Sequence, residues 1–262
     1  MDPFNKSHFY LIELQYLGFR YHGWAKQPDV KTVQGMVNKT LRYVLEGIPF
    51  KTLGSSRTDA MVSVNSTTFE LFTKQEIDTD WLLEIFNKNL PQDIKAFSVI
   101  ETDENFNIIQ SAKQKEYLYL FSFGTKNHPF SSPFITSVQD HLDIEVMKKG
   151  AISFKGEHNF KQYSYKPSET TNLVRKIDTS EIISNDIYTA NFFPENSYVF
   201  KVKGEGFMHH QVRLMMGALI LLGKEKIELE DIRRSLSGEK VFEQYVAPAS
   251  GLILNSVIFT KK

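Results

Sequence analysis

Asp59 lies in the run Gly54-Ser55-Ser56-Arg57-Thr58-Asp59-Ala60, which sets a carboxylate two residues from an arginine in a segment rich in turn formers. Val62, Val64 and Phe69-Glu70-Leu71-Phe72 follow it with the periodicity of a strand. A carboxylate held at a strand edge beside a guanidinium can act as a nucleophile or in acid–base chemistry. The same residue can also cap a loop by accepting backbone hydrogen bonds. From the residues alone, both readings stand.

A second group sits late in the chain. Arg213 precedes an apolar helical face made of Leu214, Met215, Leu219 and Ile220. A buried arginine there requires a carboxylate partner, because an unpaired buried charge is costly; otherwise it snorkels to the surface. His209 and His210 are adjacent and diverge around a helix, so they do not form the i,i+4 pair that holds a metal. Gly204-Glu205-Gly206 lies where a phosphate loop would sit, but His209 replaces the last glycine of a dinucleotide fingerprint. Tyr117 and Tyr119 share one face of an aromatic-rich strand, either as core or as a platform for a nucleobase.

The elements that must position these groups follow from periodicity. Tyr10, Ile12, Leu14 and Tyr16 alternate as a strand over residues 8–16. A loop from Gly18 to Pro28 carries Phe19, Tyr21, His22 and Trp24. Thr32 is placed to cap a helix through Leu45, with Gly47 ending it. A second helix runs from about Asp80 and stops before Pro91, and a strand covers 94–100. The later half reads as a strand from Glu116 to Phe123, a helix over 143–154, strands near 173–183 and 197–203, a helix from Phe207 to Leu222, a short helix over 228–237 and a final strand over 252–260. The pattern is α+β, with a join in the polar stretch 101–112.

Composition sets outer limits. The chain has 262 residues, enough for one large domain or two smaller ones, and no cysteine, which removes disulfides and thiolate sites. The opening Met1-Asp2-Pro3-Phe4-Asn5-Lys6 lacks the apolar run of a signal peptide, and the longest apolar run, Ala218 to Leu222, is too short to span a bilayer. A soluble cytoplasmic protein is the expectation. With 31 basic and 31 acidic residues the net charge is zero, so any nucleic-acid contact must come from local patches.

Several motifs in order resemble the TruA family of tRNA pseudouridine synthases over almost the whole length. They are Tyr21-His22-Gly23-Trp24, Thr32-Val33-Gln34-Gly35, Ser56-Arg57-Thr58-Asp59-Ala60, Leu90-Pro91-Gln92-Asp93-Ile94, Lys115-Glu116-Tyr117-Leu118-Tyr119, Gly156-Glu157-His158-Asn159-Phe160, Gly206-Phe207-Met208-His209-His210-Gln211-Val212-Arg213 and Ala247-Pro248-Ala249-Ser250-Gly251-Leu252. The resemblance implies a pseudouridine synthase fold of two ferredoxin- or RRM-like halves, 1–105 with the Asp turn and 106–262 with the tyrosine and arginine. Their antiparallel sheets would adjoin at a central cleft.

It also implies a cytoplasmic homodimeric isomerase acting on tRNA, in the anticodon stem-loop, with no cofactor, no metal and no membrane association. Asp59 would be the nucleophile, Arg57 would help displace the flipped base, Tyr117 would stack on the uracil, and Arg213 would pair with Asp59 and keep it ionised. His22, Trp24 and Arg20 would join Arg57 and Tyr117 in binding substrate. A uridine in a stem must leave the stack before its ring can be detached.

Three departures from the family pattern stand out. Met61 replaces a glycine, and Ile109 and Leu118 replace basic residues, which predicts weaker phosphate contacts at the last two. Alternatives are a non-catalytic RNA-binding paralogue, a synthase for a different RNA, or a carboxylate hydrolase with Glu205 as the second carboxylate.

Overall fold

The structure, a computed structural model, describes residues 8–259; the polar start Met1 to Lys6 and residue 260 of the expected last strand lie outside them. In chain order the elements are β1 (His8–Tyr16), α1 (Val33–Val44), β2 (Phe50–Gly54), β3 (Ser63–Thr73), α2 (Thr79–Asn89), β4 (Ile94–Thr102), α3 (Ile108–Ser111) and β5 (Ala112–Phe123). They continue with β6 (Thr136–Val138), α4 (Ile144–Ser153), β7 (Gly156–Asn159), β8 (Val174–Ser184), β9 (Tyr198–Gly204), α5 (Gln211–Gly223), α6 (Leu229–Ser235) and β10 (Leu252–Phe259). The chain is thus a mixed fold of helices and largely antiparallel strands, as the α+β pattern predicts. It divides into two compact units, Met1–Lys113 with Leu254–Lys262, and Gln114–Ile253.

The first unit is built on β1. Its alternation buries Tyr10, Ile12, Leu14 and Tyr16 on one face. β1 pairs antiparallel with β3 on one side and β4 on the other, setting Ile12 opposite both Phe69 and Val99. β2 extends from the far end of β3, with Gly54 opposite Phe69. The helices cover this layer. Thr32 caps α1 by accepting from the Gly35 N–H at 3.2 Å, and α1 buries Val33, Val37, Leu41 and Val44. α2 is capped by Asp78 and contributes Leu82 and Phe86, the latter against Phe69.

In the second unit, β5, β9, β8 and β7 form an antiparallel order, and β6 runs parallel to the end of β5. α4, α5 and α6 pack together against one side of it. On the other side Leu118, Leu120, Ile135, Val199 and Ile253 make a small core. Leu118, read from sequence as a lost phosphate contact, is thereby an apolar core position.

Two features depart from the periodicity. The helix expected from Phe207 begins at Gln211, because His210 sits in the left-handed region at φ 59 and interrupts the turn. The compact-unit boundary falls between Lys113 and Gln114, just beyond the polar stretch 101–112, and the chain from Leu254 returns to the first unit beside β3. Short strands such as β2, β6 and β7 have too few residues for a period-2 signal. Among the described residues, no helix is long and apolar enough to cross a membrane.

Candidate active site

Asp59 is carried by the connection between β2 and β3, and the aromatic loop after β1 holds that connection from several sides. The Trp24 N–H donates to the Thr58 carbonyl at 3.3 Å, and the Met61 N–H donates to the Tyr21 carbonyl at 2.9 Å. The Gly18 N–H donates to the Ser63 hydroxyl at 2.9 Å, and the Tyr16 and Thr58 hydroxyls hydrogen-bond at 2.9 Å. Asp59 closes its own turn, its carbonyl accepting from the Val62 N–H at 3.3 Å. The contact is close enough at Gly18 that a Cβ there would lie 1.9 Å from the Val62 carbonyl oxygen.

The aromatic load of the loop now has a physical reason. Trp24 is 3 % exposed, stacks on Tyr16 and leans on Phe69. Its ring packs so closely on the end of β2 that a Cβ at Gly54 would lie 2.3 Å from the indole nitrogen. The carbonyls of Gly23 and Trp24 accept from the Val33 and Gln34 N–H groups at 3.1 and 2.9 Å, so the loop also satisfies the start of α1. Arg57 and His22 are exposed, and Arg57 lies two residues before Asp59 on the same turn.

Arg20 and Tyr21 are tied to Asp93, the last residue of the turn between α2 and β4. Arg20 donates to both Asp93 carboxylate oxygens, through Nε and, at 2.8 Å, through Nη2; the Tyr21 hydroxyl donates to the same group at 2.7 Å. Burial pushes the Tyr21 phenol up, helped by its hydrogen bond to Asp93, to about 12. Burial also opposes ionisation of Asp93, but the hydrogen bonds from Arg20 and Tyr21 outweigh it and hold the carboxyl below its ordinary range.

The ion pair and hydrogen bonds therefore add stability above the unfolded carboxyl value of about 3.9 and lose it as pH falls through the lower folded value. Tyr21 acts at the other end: its contribution is present below about 10 and is lost as pH rises through about 12. Asp93→Asn should cost about 1–2 kcal/mol at neutral pH, mostly from the Tyr21 bond, since the exposed Arg20 is screened. In chemical denaturation the gap from wild type should narrow below about pH 4. A gap unchanged between neutral and acid pH would contradict this account.

Met61, which stands where the family turn has glycine, adopts φ 67. A non-glycine residue there is strained by ~1–2 kcal/mol, while glycine costs ~0.5–1 kcal/mol in chain entropy. Met61→Gly is thus expected to raise stability by up to about 1 kcal/mol in urea unfolding; a clear loss would refute the strain.

The second unit places Tyr117 and Arg213. Tyr117 is 9 % exposed, and Phe207 meets its ring edge-on at 5.2 Å. Arg213 and Ala247 exchange two bonds: Arg213 Nε donates to the Ala247 carbonyl at 2.8 Å, and the Ala247 N–H donates to the Arg213 carbonyl at 3.2 Å. The segment Tyr245 to Gly251 runs as a strap over α5 and on to β5. Gly217 admits it, since a Cβ there would lie 1.7 Å from the Tyr245 carbonyl oxygen. At the other end the buried Tyr119 hydroxyl donates to the Pro248 carbonyl at 2.8 Å, and the Leu120 N–H donates to the Gly251 carbonyl at 2.8 Å. One guanidinium nitrogen of Arg213 is thereby fixed, which sets the direction of the rest.

Asp93 and Ala247 lie within two of the sequence motifs, where nothing local assigns them a part. Here the first anchors the loop that holds the Asp59 turn, and the second aims Arg213. Thr58 and Tyr16 gave no separate signal, because a threonine beside an aspartate and a tyrosine at a strand end read equally well as turn and core.

The chain is similar to known proteins over most of its length. A family model described as tRNA pseudouridine synthase matches residues 14–109 and 151–260. The chain is 31 % identical over 248 residues to tRNA pseudouridine synthase A of Dictyoglomus thermophilum, covering 93 % of this chain and 96 % of that one. It is 31 % identical over 251 residues to the protein of the same name from Mesoplasma florum, covering 95 % and 98 %. With the counterpart from Thermodesulfovibrio yellowstonii it shares 27 % over 254 residues, covering 95 % and 98 %. The chain belongs to the tRNA pseudouridine synthase family. It is accordingly an isomerase, and the RNA on which it forms pseudouridine is tRNA.

Proposed function

We propose that this protein converts uridines of the tRNA anticodon stem-loop to pseudouridine with Asp59 as the nucleophile. The observation that carries the reading is the Arg57-Thr58-Asp59 turn, held in place by the loop from Gly18 to Trp24 in a chain of this family. Preorganisation of this kind lets a carboxylate meet a reacting carbon without first ordering itself.

In the proposed reaction the target uridine leaves its stack, and Arg57 occupies or steadies the gap. Tyr117 stacks on the uracil. The Asp59 carboxylate bonds to the ribose C1′ or to the uracil C6, and on either route the N1–C1′ bond breaks. The ring turns and C5 bonds to C1′. The hydrogen of C5 leaves as a proton, N1 gains a proton, and Asp59 is released. No electrons are lost or gained overall, so the exchange requires no redox cofactor. Arg213, aimed by Ala247, favours the ionised carboxylate of Asp59. Arg20 and His22 line the RNA side of the loop, while Trp24 acts through the turn that it supports.

We also read each unit as a ferredoxin-like half, because each has a mainly antiparallel sheet with helices against it. The proposed working form is a cytoplasmic homodimer. Phe130, exposed beside His128 and Phe192, offers an aromatic surface of the kind that such contacts bury.

The test uses unmodified tRNA carrying tritium at uridine C5. Loss of tritium to water, stoichiometric with pseudouridine, is the expected result. Free uracil would instead point to the hydrolase with Glu205 as second carboxylate, and binding without release to the non-catalytic paralogue.

A further inference from the structure

β5 presents two faces, and they are treated differently. On one, Gln114 donates to Asp178 at 2.9 Å, Glu116 pairs with Lys201 at 3.5 Å, and Leu118 and Leu120 enter the small core. The other face carries Lys115, Tyr117 and Tyr119 in a row. Tyr119 is buried and hydrogen-bonded, and Tyr117 is braced by Phe207. Lys115, which begins the row opposite Gly204 of β9, is half-buried and has no ion pair or hydrogen bond to its ammonium among the described residues.

Burial alone lowers the pKa of Lys115 from its ordinary value, and no neighbouring carboxylate offsets it. A chain that partly dries an ammonium without a counter-charge gives up stability there. The groove of about 460 Å³ that Phe207 lines is different: Arg175, Lys176, Glu157 and Glu205 all line it, so its charges balance.

We propose that the Lys115 ammonium binds a phosphodiester oxygen of the RNA strand at the nucleotide whose base stacks on Tyr117. The proposal rests on the synthase reading above and deepens it. Two residues along a strand are about 7 Å apart, so one face of β5 would meet the base of one nucleotide and its own backbone. A compact point charge on a flexible stem suits a phosphate oxygen, whose position shifts as the nucleotide flips. The ligand supplies the counter-charge that the protein withholds.

Lys115→Met keeps the stem and removes the charge; Lys115→Arg keeps the charge; Lys115→Gln is a third variant should Met disturb packing. With unmodified tRNA, Lys115→Met should raise KM roughly 3- to 10-fold with kcat within about twofold. It should also make the slope of log(kcat/KM) against log salt shallower by ~0.7–0.9, the value of one phosphate contact. Lys115→Arg should restore the slope. Unfolding of the Met variant should be unchanged or shifted to higher denaturant.

Unchanged KM and slope in both neutral variants, or a fall in kcat with the wild-type slope, would overturn the proposal while leaving the synthase reading intact. Failure of the synthase reading is visible beforehand: wild-type protein that neither binds nor modifies tRNA removes both.

Discussion

Asp59→Asn is expected to abolish pseudouridine formation, a loss on the order of 10⁴-fold or more in kcat, the scale seen when a reacting group is removed from a catalytic unit. Folding and tRNA affinity should stay near those of the wild type. The turn's main-chain bonds run through the carbonyls of Thr58, Asp59 and Tyr21 and through the Thr58 hydroxyl, none of which the substitution alters. The amide has nearly the same shape as the carboxylate but is a poor nucleophile. Residual turnover within a hundredfold of wild type would rule out Asp59 as the atom that bonds to substrate. A large drop in tRNA affinity or melting temperature would place Asp59 among the structural groups instead.

Gly18→Ala should be the most damaging small substitution in the first unit. The new methyl would fall 1.9 Å from the Val62 carbonyl oxygen, and the atoms it meets are all backbone of Val62 and Ser63, so no flexible side chain can yield. Overpacking of this kind costs ~1–3 kcal/mol, which in a chain of this size lowers the melting temperature by roughly 2–4 °C per kcal/mol. The effect on rate should exceed the effect on stability. The turn would shift away from the loop that fixes it, and a displacement of about 1 Å costs on the order of 10²-fold. A folded Gly18→Ala protein with normal kcat would mean that the loop does not position Asp59.

What could be read from the residues was mostly local. Thr32 as a cap, the alternation of Tyr10 to Tyr16 and the apolar stripe of α1 each depend on neighbours within a few positions, and each appears as expected. The return of residues 254–259 beside β3 depends on contacts about two hundred residues away in sequence, such as the Asn65–Asn255 hydrogen bond at 2.7 Å, and no local pattern encodes it.

The Asp59 turn was legible as a motif but not as a construction. Nothing in Gly18 to Trp24 states that its backbone N–H and C=O groups bond to residues 58–63. Leu118 teaches the reverse lesson. Compared by position it looked like a missing cation, whereas its burial with Leu120 and Val199 identifies it as core. Met61 is intermediate: the family pattern raised the question of a left-handed turn, and the φ of 67 answers it.

The central claim is that this chain makes pseudouridine in tRNA through Asp59. The most direct test is to incubate unmodified tRNA with excess purified protein and map pseudouridine by carbodiimide treatment and primer extension. Wild-type protein should produce new stops at uridines of the anticodon stem-loop, and Asp59→Asn none. Absence of any new stop with the folded wild-type protein, in every tRNA tried, would contradict the account.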